Sequence, residues 1–151
     1  MARVIKKPGD LLRFPLSDGK HGYAQWLADG TARIFRAACA RDLSIEEVLS
    51  LPTAFRVVIF KDTPNRYGWS KIGSAPIPEA YSMPQRYAKR DQLTGRLSLY
   101  IDGSEEVPAT VDEVQGLETA AVWAHPHIVK RLEAELDGGN STFTKVIGVG
   151  A

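Results

Sequence analysis

The sequence predicts an α+β fold: a curled, mostly antiparallel sheet or small partly open barrel, with one main C-terminal helix and one or two short helices. Three observations lead to this prediction. Two Asp-Gly pairs separate strand-like segments early in the chain. Two capping-box sequences mark the starts of short helices, and an apolar residue recurs at every fourth position near the C-terminus. With 151 residues, 44% of them hydrophobic, we expect residues 1–151 to form a single domain.

The first Asp-Gly pair predicts a β-hairpin. Asp18 and Gly19 suit the centre of a two-residue type I′ turn, in which both residues have positive φ angles. In the register that such a turn sets, Phe14 lies directly opposite Tyr23. We therefore expect one apolar face of the sheet to contain Leu12, Phe14, Leu16 and Tyr23.

The second Asp-Gly pair, at residues 29 and 30, predicts a third strand. Residues 23–27 then pair with residues 32–36, and the three strands form a meander. This pairing places Ile34 on the Phe14 face, and Trp26 and Phe35 on the opposite face. Large apolar side chains on both faces indicate that other parts of the chain pack against each side of the sheet.

The next segment combines a short helix with a central strand. Ser44 and Glu47 have the spacing of a capping box, and Pro52 ends the helix that they start. Residues 55–60 are almost continuously apolar, which is typical of a strand buried on both faces. We expect this strand to form a hairpin with residues 67–73. The proline-rich residues 74–92 that follow are interpreted as an ordered surface loop, anchored by Tyr81 and Tyr87.

The last third of the chain predicts two strands and the main helix. Residues 97–101 alternate as in a half-buried strand, Thr110 and Glu113 form a second capping box, and residues 117–123 read as a strand. Pro126 suits a first helical position and Gly138 a helix end. The helix between them carries an apolar stripe of Ile128, Leu132 and Leu136. The tail after residue 139 is interpreted as a last edge strand.

The composition points away from several classes of protein. No apolar run reaches the roughly 18 residues of a membrane span, and the N-terminus lacks the apolar core of a signal peptide. Cys39 is the only cysteine, so an internal disulfide is impossible. We therefore expect a cytoplasmic protein of bacterial type.

The net charge of +1 conceals an asymmetry. Residues 1–100 carry 16 Lys and Arg against 9 Asp and Glu, whereas residues 101–151 carry 3 against 9. A polarised surface of this kind would steer a charged partner. The alternative is that folding mixes both halves over one surface.

Few residues suggest catalytic chemistry. His125 and His127 fall at a helix start without a second ligand pair, so we interpret them as two solvated histidines. His21 is expected on the surface beside the first turn, and Cys39 as a small buried residue, since a nucleophilic cysteine needs an activating base or cation nearby. We assign no catalytic residue, metal ligand or cofactor. The cations and aromatic residue of residues 86–90 are interpreted as a solvated loop rather than a nucleic-acid site.

The remaining feature is an acidic segment. Five carboxylates fall within a dozen residues: Asp102, Glu105, Glu106, Asp112 and Glu113. One interpretation is a polar loop that maintains solubility. The other is a partner-binding surface that attracts a basic protein, for which charge mainly accelerates association.

Several motifs, in order, resemble a known family. They are Gly9-Asp10, Phe14-Pro15-Leu16-x-Asp18-Gly19-x-x-Gly22-Tyr23, Trp69-x-x-Ile72-Gly73, and Gly116-Leu117-Glu118 followed by Trp123 and Val129-x-Arg131-Leu132. Together they resemble immunity protein family 26 of bacterial polymorphic toxin systems. The resemblance covers nearly the whole chain and is carried by turn glycines and core aromatic residues.

The resemblance implies a single immunity-protein-like domain that binds and neutralises a cognate toxin in the bacterial cytoplasm. The partner would be a protein such as a basic nuclease toxin, with no direct contact to nucleic acid or membrane. The family is also grouped with a small phosphotriesterase, so an organophosphate hydrolase is the alternative. That reaction usually needs one or two metal ions held by several His and carboxylate ligands, and this chain has three histidines.

Overall fold

The structure, a computed structural model, describes residues 7–28, 30–101, 106–119 and 121–137. Within these residues it confirms the α+β class, with two open, mostly antiparallel sheets and a C-terminal helix. The strands are β1 (Asp10–Pro15), β2 (His21–Trp26), β3 (Thr31–Phe35), β4 (Thr53–Ile59), β5 (Ser70–Ser74), β6 (Arg86–Arg90), β7 (Leu97–Ile101), β8 (Val107–Pro108), β9 (Glu118–Thr119) and β10 (Val122–Trp123). The helices are α1 (Ile45–Leu49), α2 (Thr63–Arg66), α3 (Val111–Val114) and α4 (His125–Leu136). Single 3-10 turns lie at Ser17–Gly19 and Glu79–Tyr81.

Six strands form the larger sheet, in the order β10-β4-β3-β2-β1-β5. The predicted meander of the first three strands is confirmed, and β4 extends it as an antiparallel neighbour of β3. The predicted hairpin between β4 and the following strand is wrong. β10 pairs with the second edge of β4, and β5 pairs instead with β1 at the opposite edge of the sheet.

The first turn has the predicted backbone but a different register. Asp18 and Gly19 have φ angles of 59° and 73°, as a type I′ turn requires. However, the Leu16 amide donates to the Lys20 carbonyl at 2.8 Å, so the β1 side of the turn holds one extra residue. Phe14 therefore lies opposite Gly22, not Tyr23. Because side chains alternate along a strand, this shift of one residue turns Tyr23 to the other face.

Both faces of the larger sheet are covered by other parts of the chain. α4 packs on one face, whose buried residues include Leu12, Phe14, Trp26, Ile34, Phe55, Trp69, Trp123, Ile128 and Leu132. α1 packs on the other face, where Leu11, Tyr23, Phe35 and Val48 are buried. The predicted positions of Ile34 and Phe35 are confirmed. Those of Tyr23 and Trp26 are exchanged relative to the prediction.

The predicted helix starts are confirmed. Ser44 Oγ accepts from the Glu47 amide at 3.2 Å, and the Glu47 carboxylate accepts from the Ser44 amide at 3.0 Å. Thr110 and Glu113 make the same reciprocal pair of hydrogen bonds at the start of α3. α4 presents Ile128 and Leu132 to the sheet, fully buried, as the apolar stripe predicted.

The smaller sheet has the order β8-β7-β6-β9. Residues 86–90, predicted as a solvated loop, form the strand β6 at its centre, because Tyr87 and Ala88 are both buried there. α3 covers the face that contains Ala88, through Val114. Tyr87 and Lys89 lie on the opposite face, together with Tyr100 of β7.

The predicted strand over residues 117–123 is divided between the two sheets. β9 pairs in parallel with β6 of the smaller sheet, and β10 pairs in parallel with β4 of the larger one. The segment therefore joins the sheets at their edges and leaves a cleft between them. The predicted edge strand after residue 139 lies outside the described residues. None of the described helices has the length and apolar character that crossing a membrane requires.

Candidate functional site

The acidic segment is partly described. Asp102 and Glu105 lie outside the described residues. Glu106 is exposed just before β8, and its carboxylate accepts from Lys89 Nζ at 2.5 Å and from the Ser98 hydroxyl at 3.3 Å. The hydrogen bond from Lys89 holds the pKa of Glu106 below its ordinary value. Glu106 is thus neutralised locally and lies on the Lys89 face of the smaller sheet.

The two acidic residues of α3 lie on the opposite face of this sheet, because α3 covers the Ala88 side. Glu113 closes the capping box with Thr110. Asp112 is exposed and makes no hydrogen bond or ion pair with another described residue. The folded chain therefore does not gather the described carboxylates into one cluster.

Exposed valines accompany these carboxylates. Val111, the first residue of α3, is 56% exposed, and Val107 in the edge strand β8 is 48% exposed. Their sequence neighbours Asp112 and Glu106 carry the charge. A protein–protein interface combines an apolar centre with a polar rim, so these residues are candidates for such a surface. The sequence analysis identified the carboxylates but not the valines. The exposure of the valines becomes evident only when the positions of the short β8 and α3 are known.

The cleft between the two sheets is a second candidate site, with a volume of about 540 Å³. Sequence reasoning did not identify it, because its walls come from distant parts of the chain. Its lining residues are Trp26, Gly30, Val58, Ile59, Phe60, Lys61, Tyr87, Tyr100, Ala121 and Val122. Volume and lining are within the range of small-molecule sites, which are concave and mostly apolar.

Aromatic rings form both walls of this cleft. Trp26 and Phe60 belong to the larger sheet and its continuation, and Phe60 is 49% exposed. Tyr87 and Tyr100 belong to the smaller sheet, with ring centroids 6.1 Å apart. Val122, on the segment that joins the sheets, is 48% exposed. Water thus contacts apolar surface that the fold leaves uncovered.

His125 is half-buried and bonded to the core, whereas a solvated side chain was predicted. Its ring stacks on Tyr67, with centroids 4.8 Å apart, and the Trp69 indole Nε1–H donates to His125 Nδ1 at 3.0 Å. Because an indole N–H can only donate, this contact requires a neutral imidazole with its proton on Nε2. Burial also lowers the pKa of His125 below its ordinary value. His125 therefore serves the core contact between α4 and the segment after α2, whereas His127 is exposed as predicted.

Cys39 and His21 are brought together by backbone hydrogen bonds. The His21 amide donates to the Cys39 carbonyl at 2.8 Å, and the Cys39 amide donates back at 3.0 Å. Both side chains are half-buried, so neither the exposed position predicted for His21 nor the buried one predicted for Cys39 is found. His21 Nδ1 is buried and has no hydrogen-bond partner among the described residues.

A buried arginine with no acidic partner among the described residues fastens residues 74–85 over the sheet. Arg33 is 6% exposed; its Nε donates to Gln25 Oε1 at 2.8 Å, and Gln25 Nε2 donates to the Ala75 carbonyl at 3.0 Å. The guanidinium lies between the rings of Phe35 and Tyr81, at 4.5 and 5.1 Å from their centroids. Burial lowers the pKa of Arg33, and Tyr81 opposes this effect. The ordered loop predicted over residues 74–92 is thus found only as far as residue 85, with its Tyr81 anchor, because residues 86–90 with Tyr87 form β6.

A second buried arginine joins α4 to the smaller sheet. Arg131 donates to both carboxylate oxygens of Glu118 in β9, at 2.5 and 2.7 Å, and to Glu135 at 3.2 Å. Its guanidinium also lies 4.1 Å from the centroid of the Phe55 ring. Burial lowers the pKa of Arg131, but the hydrogen bonds and charges of the two glutamates outweigh it and raise the pKa. This bidentate pair holds the junction beside the cleft.

Within the part of the chain that the structure describes, no group of three or more His, Cys, Asp or Glu side chains is placed to share a metal ion. No family model, no curated protein and no solved structure matches the chain. The resemblance to immunity protein family 26 therefore stays a prediction.

Proposed function

We propose that this protein is an immunity protein that binds and neutralises a cognate protein toxin in the bacterial cytoplasm. The observation that carries the proposal is the exposed surface of α3 and β8: Val107 and Val111 are about half exposed, and Val111 is followed in the sequence by the exposed Asp112. Apolar side chains supply contact area when a partner covers them. The Asp112 carboxylate is exposed and supplies a negative charge that can attract a basic partner.

The charge of this surface favours a toxin that acts on nucleic acid. Such toxins need cationic surfaces that bind the phosphates of nucleic acid, and a carboxylate on the inhibitor can bind to the same cationic surface. Charge of this kind mainly raises the association rate and is screened by salt. Glu106 contributes less to this attraction, because Lys89 already neutralises it.

The test begins with the genes beside this one: a toxin domain encoded there is expressed in cells, and the protein is tested for protection of those cells. Asp112→Lys should reduce protection and slow association, most strongly at low salt. Glu46→Lys is the matched control, since Glu46 is also exposed and is the second residue of a helix that a capping box starts. Both reversals place a cation in a first helical turn, so their effects on folding should be equally small. Val111→Ser tests the apolar part and should accelerate dissociation.

Two results would contradict the proposal. One is the absence of any toxin domain that the chain binds. The other is full protection by Asp112→Lys and Val111→Ser with unchanged association and dissociation rates. In the second case residues 74–92 become the next contact surface to examine.

A further inference from the structure

The cleft between the two sheets is large, and its lining is mostly apolar. A volume of about 540 Å³ lies between two walls that carry four aromatic rings. Leaving Phe60 and Val122 about half exposed forgoes the free energy that burying them would provide. The Arg131–Glu118 pair, which fastens α4 to β9, holds the segment joining the two sheets in place. The cleft is therefore a formed cavity rather than a gap between independent parts.

We propose that this cleft binds a small planar molecule of two or three fused aromatic rings. The size follows from the volume. An apolar cavity of about 150 Å³ accommodates one benzene, so the cleft, with about 540 Å³, has room for several rings. One aromatic side chain from a protein partner would leave most of it empty.

The chemistry of the walls supports a flat aromatic ligand. Trp26, Phe60, Tyr87 and Tyr100 offer ring faces and edges from opposite sides, and aromatic pairs are favourable in stacked and edge-to-face geometry. Lys61 is the one charged residue among the described lining residues, and Lys89, which lies near the Tyr100 ring, is already paired with Glu106. The contacts that select the ligand are therefore apolar and aromatic.

This site goes beyond the proposed toxin contact, and the two are separable. The cleft uses the Tyr87 face of the smaller sheet, whereas α3 with Val111 and Asp112 covers the Ala88 face. A variant that fills the cleft therefore leaves the proposed toxin surface unchanged. Failure of one proposal does not imply failure of the other.

The experiment is a fluorescence titration of the purified full chain with anilinonaphthalene sulfonate, a fused-ring aromatic anion. We expect saturable binding of one dye per chain. Ala121→Trp places a large ring at an exposed position in the cleft and should weaken binding by about tenfold or more. Phe60→Ala removes one of the four aromatic rings that line the cleft and should weaken dye binding several-fold. The control is Leu93→Ala, because Leu93 is 97% exposed and lies away from the cleft lining.

This dye also binds partly folded chains, so each variant is compared with the wild type by near-ultraviolet circular dichroism. If Ala121→Trp does not fold, Phe60→Ala is the deciding variant, because the truncation of a half-exposed side chain should leave the fold intact. Unchanged dye affinity in the folded variants would overturn the proposal, and so would the binding of several dyes per chain. Loss of toxin protection in Ala121→Trp without one-to-one dye binding would instead assign the cleft to a protein side chain.

Discussion

Replacement of Gly22 by alanine tests the register of the first hairpin and the packing above it. In the observed register Gly22 lies opposite Phe14, and the Phe14 ring covers the glycine. A Cβ atom at Gly22 would lie 2.5 Å from Phe14 Cζ and 2.7 Å from Cε2. Ordinary carbon contacts are about 3.5–4.0 Å, so either the ring or the strand must move by roughly 1 Å.

The surroundings of Phe14 make this movement costly. Its ring is fully buried, stacks on Trp69 with centroids 4.5 Å apart, and meets the edge of His125. Overpacking a core of this kind costs about 1–3 kcal/mol. Alanine recovers about 0.4–1 kcal/mol by restricting the unfolded chain. We therefore expect Gly22→Ala to lower the free energy of unfolding by about 1–2 kcal/mol, and the melting temperature by about 2–8 °C in a chain of this length.

Urea unfolding followed by tryptophan fluorescence measures this loss, since Trp69 contacts the Phe14 ring. Gly73→Ala is the matched control. Its Cβ would lie 2.4 Å from Ile45 Cδ1, but that atom ends a flexible side chain that is 37% exposed. This substitution should cost less than about 0.5 kcal/mol.

A double-mutant cycle shows whether the Phe14 ring causes the loss. In a Phe14→Leu background, Gly22→Ala should cost much less than in the wild type. An unchanged free energy of unfolding in Gly22→Ala would refute the reasoning, because the predicted clash would be absent. An equal loss in both backgrounds would show that the backbone, and not the ring, is responsible.

Two further predictions concern buried charged and titratable groups. Burial lowers the pKa of His125 in the folded state from its ordinary value of 6.5. As pH falls, the unfolded chain therefore takes up a proton at this histidine before the folded chain does. The free energy of unfolding should be constant above the ordinary pKa and decrease below it. Denaturant unfolding at about pH 7.5 and about pH 5.5 should show a larger loss in the wild type than in His125→Asn, and equal losses would contradict the assignment. Glu118→Gln leaves Arg131 buried with a weaker partner and should destabilise the protein by about 1–3 kcal/mol, whereas the exposed control Glu46→Gln should have little effect in the same assay.

The sequence alone was sufficient where structure depends on neighbouring residues. The positive φ angles of Asp18 and Gly19 and the capping box of Ser44 and Glu47 arise from side chains within four positions of each other. The stripe of α4 follows from the period of the helix. The charge of the acidic segment was also visible in the sequence. Its division between two faces of the smaller sheet was not, because the faces depend on how β6, β7 and α3 pack.

Only the tertiary structure decided features that depend on pairing between distant residues. One extra residue beside the first turn reversed the face of Tyr23, because side chains alternate with a period of two and tolerate no shift. β5 lies beside β1 because β3 and β10 occupy both edges of β4. The cleft brings Trp26 to Tyr100, and Arg33 is buried by a loop some fifty residues away. These contacts form when two sheets and their covering segments pack together, and no local pattern records which distant surface each side chain meets.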